Sequence, residues 1–594
     1  MSAARGREAG SFAEVLRARA EQSPGAVAYR FAGDDESAAE CTYGELDARA
    51  RTVAARLAAG TGGRPGPALL LFAPGLDYLA GLFGCFYAGV PAVPAFPPDP
   101  TRLARTLPRL AAIIEDAGSD TVLTTSDLAP LLRDWLTAER GGRAPRVVTT
   151  DPAGDGGGPG GPDDGRSAVR DVRPDTLALL QYTSGSTSLP RGVMLTHAHL
   201  LANAREIARG FGIHGDSSGA LWLPPYHDMG LIGGILTPLA TGIPVTLMSP
   251  VTFLRRPLAW LRMVSRHRAT ITGAPNFAYD LCVRRATDAD VAGLDLSGVE
   301  LTFTGAEPVR AETLTRFTER FGPCGFRTES FYPCYGLAEA TLFVTGGRPL
   351  GGWRSVPVAR DALELRGEAR PAAPGEPSRP LVGCGGPGPG TRLLVVDPAT
   401  REPLGDGAVG EVWLDSPGVA DGYWRRPQET AATFGATTAA GEGPFLRTGD
   451  LGFLLDGELF VAGRTKDLLV VNGRNHHPTD IERACEASVP GIRRNCGAAF
   501  AVEDDAGAAE RLVLVYEADP GDEEQHREVI AALRRTVSRE LSIPPHTVVL
   551  VRPRTVPKTS SGKVQRWLAR RQYLAGELEE LARWQAHPSN AAPA

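Results

Sequence analysis

"TLALLQYTSGSTSLPRGVMLT", residues 176–196, gathers five hydroxyl side chains and two glycines within 183–192 and flanks them with apolar runs. The run "TLALLQYTS" predicts a strand entering the loop, and "GVMLT" predicts a second extended segment leaving it. Thr196 then caps a helix whose apolar side is Leu200, Ala204, Ile207, Ala208 and Phe211. Small hydroxyls and glycine amides are the donors with which a chain surrounds phosphate oxygens, because glycine lets the backbone approach closely. A Walker loop is disfavoured, since its glycines open directly onto a helix and end in GK[ST]. Taken alone, a Ser/Thr/Gly loop is most often a polar surface turn, so its meaning depends on the rest of the chain.

Upstream, residues 151–175 mix Gly, Pro and Asp without hydrophobic period and predict a flexible connection. Downstream, "PVTLM", "ATITGAP", "ELTFTGAE" and "RTESFYPCYG" alternate with helical patterns up to about residue 350. That is the βαβ rhythm of a layered, largely parallel sheet, which binds ligands at the carboxyl ends of its strands. Residues 348–380 turn Pro/Gly/Arg-rich, and 381–463 carry "TRLLVVD", "GEVWLDS" and "PFLRTGDLGFLLDGELFVAG", the alternation and Asp-Gly turns of a β subdomain. The remainder, 466–594, reads as a small α+β domain: strand "LLVV", a helix from Pro478, strands "GAAFAV" and "RLVLVYEA", a helix with Ile530, Leu533, Val537 and Leu541, strand "TVVLV", then a short helix and a tail. The expected fold is therefore α/β, with a large domain over 1–465 and a small C-terminal one.

Composition narrows the function. With 63 basic and 69 acidic residues the net charge is −6, which gives no global field for nucleic acid or an anionic membrane. The most apolar stretch, 68–96, is broken by Pro74, Asp77, Gly84, Pro91 and Pro94, so it predicts buried sheet and helix and no membrane span. The N-terminus lacks a signal-peptide core. Eight scattered cysteines without a C-x-x-C pair suggest a reducing cytoplasm, and the ten histidines show no zinc spacing. "GCGGPGPG" (383–390) formally contains G-x-G-x-x-G, but its prolines and the lack of a following helix make it a loop.

After the hydroxyl-rich loop come "WLPPYHDMGLIGG", "TGAEPV", "YGLAEAT", "RTGDLG", "GRTKDLLVVNGRNHHPTDIE" and "PKTSSGKVQR", in that order. This series resembles the adenylate-forming superfamily of acyl-CoA synthetases, peptide-synthetase adenylation domains and luciferases, and most closely its fatty acyl-AMP ligases. The resemblance implies an enzyme that binds ATP and Mg²⁺, joins a fatty acid to AMP with loss of pyrophosphate, and passes the acyl group on.

By that resemblance, Thr183, Ser184, Gly185, Ser186 and Thr187 hold the β and γ phosphates. Arg191 stands where much of the superfamily has lysine, which keeps the charge but changes donor geometry. Gly305, Ala306 and Glu307 line the adenine site, Tyr335 and Gly336 contact the nucleotide with the ring stacked on the base, and Glu339 coordinates Mg²⁺. Asp450 accepts from the ribose hydroxyls, Arg464 reaches the nucleotide, and Lys466 marks the hinge between domains. Lys563 bridges carboxylate and α-phosphate oxygens. It lies in 551–575, a stretch with seven Lys/Arg and no acid, and Lys558 is the competing assignment.

The acid and its acceptor follow from "YHDMGLIGG". His227 is a candidate to position the acyl carboxylate or the adenylate, with a hydrogen-bonded structural histidine as the alternative, and Met229, Gly230, Gly233 and Gly234 offer a small, apolar lining for a hydrocarbon chain, each buried CH₂ contributing about 0.8 kcal/mol. With "GRNHHPTDIE" and the stretch 348–380, near where these ligases carry an insertion, the resemblance implies transfer to the phosphopantetheine thiol of a separate holo acyl carrier protein in lipopeptide or polyketide synthesis. The alternatives are a fatty acyl-CoA ligase and a non-catalytic acyl-nucleotide-binding protein.

Overall fold

The computed structural model describes residues 9–34, 37–59, 66–97, 103–139, 145–151, 168–183, 190–471, 474–503, 510–541, 543–559 and 562–586. The hydroxyl-rich segment joins two antiparallel strands, Leu177–Thr183 and Arg191–Thr196, so it is a hairpin connection, unlike a strand-to-helix Walker loop. Thr196 caps the helix His197–Gly210 as expected, its hydroxyl accepting from the His199 N–H at 3.3 Å. The expected connection over 151–175 falls mostly on residues outside those described.

These strands end a six-stranded sheet in the order Arg146–Thr149, Thr121–Thr124, Ala68–Leu71, Ala92–Ala95, Leu177–Thr183, Arg191–Thr196, parallel except for the final pair. The apolar stretch 68–96 forms two of those strands and the helix Leu76–Ala88 between them. That helix is buried on every side from Tyr78 to Ala88, which explains its lack of a polar face. Filled by side chains such as Phe83 and Phe86, each contributing about 1.5–3 kcal/mol by burial, it fastens the six-stranded sheet to its neighbour.

The neighbour is a nine-stranded sheet. Its parallel centre runs Phe331–Gly336, Leu301–Thr304, Ile271–Gly273, Gly219–Leu221, Val245–Met248 and Val27–Ala32. Four of these are the strands expected from the βαβ rhythm. Gly386 and Pro387, inside "GCGGPGPG", add a two-residue edge strand and no helix follows, so the segment builds no dinucleotide site.

The β subdomain is a four-stranded antiparallel sheet of Arg392–Val396, Gly410–Asp415, Leu446–Leu455 and Glu458–Arg464. Its last hairpin turns on Asp456 and Gly457, with φ of 54° and 77°, the paired left-handed residues that a type I′ turn requires. The stretch 348–380, without period in sequence, is ordered: Ser355–Ala359 pairs antiparallel with Ser378–Val382, and a π-helical turn, Ala362–Arg366, lies between them.

The C-terminal segment folds into a four-stranded sheet of Ile492–Glu503, Glu510–Ala518, Thr547–Val551 and Glu580–Gln585, with its own apolar core. The final strand was not expected; "ELARWQ" lacks alternation and pairs only because Thr547–Val551 presents an open edge. Ion pairs that fasten this C-terminal segment to the rest include Arg483–Glu312 at 3.1 Å, Arg310–Glu486 at 4.0 Å and Arg379–Asp480 at 3.0 Å. Arg379 belongs to the 348–380 region's second strand and also donates to the Ala462 carbonyl at 2.8 Å, so one buried guanidinium ties three parts of the molecule together. Among the described residues, no helix is long and apolar enough to cross a membrane.

Candidate active site

The carboxyl ends of strands Ala92–Ala95, Leu177–Thr183, Leu301–Thr304 and Phe331–Gly336 open onto one cavity of about 710 Å³, closed on its far side by the C-terminal segment. Of the residues predicted from sequence, Thr183, His227, Met229, Gly233, Gly305, Ala306, Glu307, Tyr335, Gly336, Glu339, Asp450, Arg464, Lys466 and Lys563 line it. Ser184, Gly185, Ser186 and Thr187 lie outside the described residues.

On one wall, "TGAEPV" leaves its strand through Ala306, whose φ of 69° is left-handed. Such strain in a non-glycine residue is held by its surroundings and clusters at ligand sites. Gly336 admits no side chain, because a Cβ there would fall 1.7 Å from the Leu342 carbonyl oxygen. Asp450, 4% exposed, accepts from the Tyr335 hydroxyl at 2.7 Å and from Arg464 Nε at 2.8 Å. The carboxylate is thus fixed at both oxygens, and Asp450 raises the pKa of the Arg464 guanidinium although burial opposes it. Burial and then Asp450 raise the pKa of Tyr335, so its hydroxyl remains a donor.

Glu339 lines the same wall and accepts from the Tyr423 hydroxyl at 2.8 Å, leaving its second oxygen for another partner. With Thr183 it supplies the hard oxygen donors that Mg²⁺ prefers, so the residues fit that ion. Arg191 is engaged elsewhere: it pairs with Glu429 at 2.8 Å and lies 5.3 Å over the Tyr423 ring.

The second wall begins at His227, whose Nδ1 is 2.6 Å from Asp228 Oδ1. Asp228 also accepts from the Met229 N–H at 2.7 Å, and there starts the π-helix Met229–Leu236. Burial alone would raise the Asp228 pKa, but His227 and Lys563 hold it below the usual carboxylate value. The π-helix turns Met229 and Gly233 toward the cavity and Gly230 and Gly234 away from it. Gly230 packs on the Pro224 carbonyl and Gly234 toward Leu221, which corrects the expectation that all four line an acyl site. The wider spacing of a π-helix shifts the face that an α-helical reading assigns. Beside Gly233 the cavity has an apolar branch lined by Leu342, Phe211, Phe303 and Phe343; Phe211 sits 5.6 Å from Phe303 and 5.8 Å from Phe343.

Gly230 is structural: a Cβ would lie 2.2 Å from the Pro224 carbonyl oxygen. Gly230→Ala is expected to lower stability by about 1–3 kcal/mol through overpacking, read as a fall in the thermal midpoint, and an unchanged midpoint would contradict the packing described.

Lys563 reaches the cavity from the C-terminal segment. Burial and the nearby Arg464 lower its pKa below 10.5, while Asp228, Glu307 and Asp450 oppose that shift. Its ammonium therefore stands between the wall that starts the apolar branch and the wall built on Asp450. The competing Lys558 is directed to Cys496 Sγ, at 3.1 Å, and does not line the cavity. Lys466 lies in the short turn Thr465–Asp467 between the two parts of the molecule, and burial lowers its pKa.

Sequence reasoning missed Asp228 as the partner that orients His227, and Tyr423 as the partner of Glu339. The adjacency of His and Asp was a usable signal. Tyr423 gave none, because it meets Glu339 from 84 residues away in the chain.

Comparison with known proteins agrees with this geometry. The family described as "AMP-binding enzyme" matches residues 16–424, and "Disco-interacting protein 2-like, AMP domain" matches 466–583. A medium-chain-fatty-acid–[acyl-carrier-protein] ligase of Moorena producens, JamA, is 42% identical over 96% of both chains. The crystal structure of a fatty acyl-adenylate ligase from Legionella pneumophila in complex with acyl adenylate and pyrophosphate is 36% identical, with a TM-score of 0.73 over 97% of this chain and 98% of that one. A structure from work on fatty acyl-adenylate ligases of E. coli and L. pneumophila reaches a TM-score of 0.85 at 32% identity, over 96% and 98% of the two chains. The chain belongs to the AMP-binding enzyme family and, within it, to the fatty acyl-AMP ligases.

Proposed function

We propose that this chain condenses a fatty acid with ATP to give acyl-AMP and pyrophosphate, then transfers the acyl group to the phosphopantetheine thiol of a separate holo acyl carrier protein. In the first step a carboxylate oxygen attacks the α-phosphorus and the bond to the β-phosphate oxygen breaks. In the second the thiol sulfur attacks the acyl carbon, AMP leaves, and the thiol proton passes to solvent. The observation that carries the reading is the placement of Lys563: one ammonium faces both the nucleotide wall of Asp450 and the wall of Asp228 from which the apolar branch leads. A cation there offsets the repulsion between two anionic substrates and the charge growing at the α-phosphate.

Asp450 takes the ribose hydroxyls, Gly305, Ala306, Glu307, Tyr335 and Gly336 enclose the base, and Arg464 adds a donor to the nucleotide. Thr183, with Ser184, Gly185, Ser186 and Thr187, holds the β and γ phosphates. Glu339 and Thr183 would hold Mg²⁺, which screens phosphate charge when bound. His227, kept in one orientation by Asp228, presents Nε2 to the acyl carboxylate, and the hydrocarbon chain runs past Met229 and Gly233 toward Phe211. Residues up to 465 and from 466 onward form two domains, with Lys466 at the hinge between them. The name of the Moorena relative supports a carrier protein as acceptor.

Incubation with MgATP, fatty acids of graded length and, side by side, CoA and a holo carrier protein tests both halves. Acyl-AMP should accumulate without acceptor, and the carrier should be acylated more than about tenfold faster than CoA, a difference of about 1.4 kcal/mol between transition states. Equal or faster acyl-CoA formation would assign the acceptor to CoA. No acyl-AMP with any acid would leave a nucleotide-binding protein without this activity.

A further inference from the structure

Among the described residues, eight arginines line the cavity, and seven of them have a carboxylate within 4.0 Å. The eighth, Arg109, has no hydrogen bond or ion pair among the described residues. It is half-buried, and burial lowers its pKa. A guanidinium withdrawn from water without a counter-ion is costly, and the cost falls when an anion arrives.

Its placement is not accidental to the fold. Arg109 is on the helix Leu103–Ala117, and Ile113, one turn on, lines the cavity beside it. Asp116, two turns on from Arg109 and so on the same side of the helix, accepts from the Tyr182 hydroxyl at 2.7 Å and pairs with Arg426 at 2.7 Å. The helix is therefore pinned to the strand that ends in Thr183, and Arg109 lines the same cavity as Thr183 and Arg191. Arg191 already has Glu429 as a partner, so Arg109 is the guanidinium of this cavity left for a ligand among the described residues. Its planar fork suits phosphate oxygens, which accept two parallel bonds.

We propose that Arg109 is a phosphate seat: its guanidinium binds the terminal phosphates of ATP and retains pyrophosphate as the bond to the α-phosphate breaks. This rests on reading the cavity as an ATP site. The phosphodiester of a carrier's phosphopantetheine arm offers the same chemistry, and the experiment separates the two sources.

Arg109→Gln and Arg109→Lys are compared with the parent in three measurements: calorimetric binding of MgATP, AMP and inorganic pyrophosphate; ATP–pyrophosphate exchange; and single-turnover transfer from preformed acyl-AMP to holo carrier protein. The glutamine variant should bind MgATP and pyrophosphate at least about tenfold more weakly, as loss of a charge-assisted contact implies, with AMP affinity unchanged. Exchange should slow accordingly, transfer should stay within about twofold, and lysine should recover part of the loss because charge remains while the fork is gone. AMP binding at parental strength certifies that a variant is folded. Parental affinity for ATP and pyrophosphate in both variants would overturn the proposal. So would slowed transfer with intact exchange, which would give the seat to the carrier's arm. The binding arms need no acid substrate, so a protein that takes ATP but activates no fatty acid would sink the functional reading and leave this one standing.

Discussion

Lys563→Met slows acyl-adenylate formation by about 10²–10³-fold, the loss seen when one preorganised donor to a developing oxyanion is removed. In the proposed reaction the ammonium sits where charge accumulates in the attack on the α-phosphate, and its neighbours Asp228, Glu307 and Asp450 belong to both walls of the cavity. Transfer from preformed acyl-AMP to the carrier does not need that charge and should change by less than about threefold, on the premise that only adenylation develops it. The pH profile adds a check with a definite sign. Burial lowers the Lys563 pKa, so the ammonium is lost on the alkaline side before a solvated lysine would lose it. Adenylation by the parent should therefore fall on an alkaline limb below pH 10.5 that the methionine variant lacks. Full-rate adenylation by Lys563→Met would refute the proposed mechanism.

Asp450→Asn abolishes measurable ATP binding and also destabilises the protein. The carboxylate is 4% exposed and carries Arg464 at 2.8 Å and Tyr335 at 2.7 Å, so its neutral replacement removes the counter-ion of a half-exposed guanidinium, a loss of about 1–2 kcal/mol once water screens the exposed part of the pair. The two effects separate in the double variant Asp450→Asn/Arg464→Gln. Removing the unpaired charge should restore most of the thermal midpoint, while ATP affinity, followed by calorimetry, stays lost because the amide offers the two ribose hydroxyls one acceptor oxygen and an NH₂ donor in place of two charged acceptors. Recovery of ATP binding with stability would show that Asp450 only neutralises Arg464.

Much of this architecture is written locally. The strand into the hydroxyl-rich loop, the Thr196 cap, the parallel strands around residues 245, 271, 301 and 331, and the Asp-Gly hairpin at 456–457 follow from period and turn chemistry, which depend on neighbours in sequence. The candidate site was legible for a different reason. Chemistry on a nucleotide demands particular side chains at fixed places in a series of short motifs, and fourteen of the predicted residues line one cavity.

What the amino-acid sequence determined by itself is the set of groups and the elements that carry them: Lys563 on a glycine-flanked loop, Asp450 in a β-hairpin, Glu339 after a parallel strand. Only the tertiary structure decided that Gly230 and Gly234 turn away from the cavity, that 348–380 forms a sheet clasping Asp480 through Arg379, that Tyr423 orients Glu339, and that Arg109 lines the cavity without a counter-ion among the described residues. Each of these depends on contacts between residues distant in the chain, or on a helix winding to a period that hydrophobic pattern does not encode. Charge pairing in particular is a property of three-dimensional neighbours, so the arginine left for a ligand is recognisable only once the other seven have found theirs.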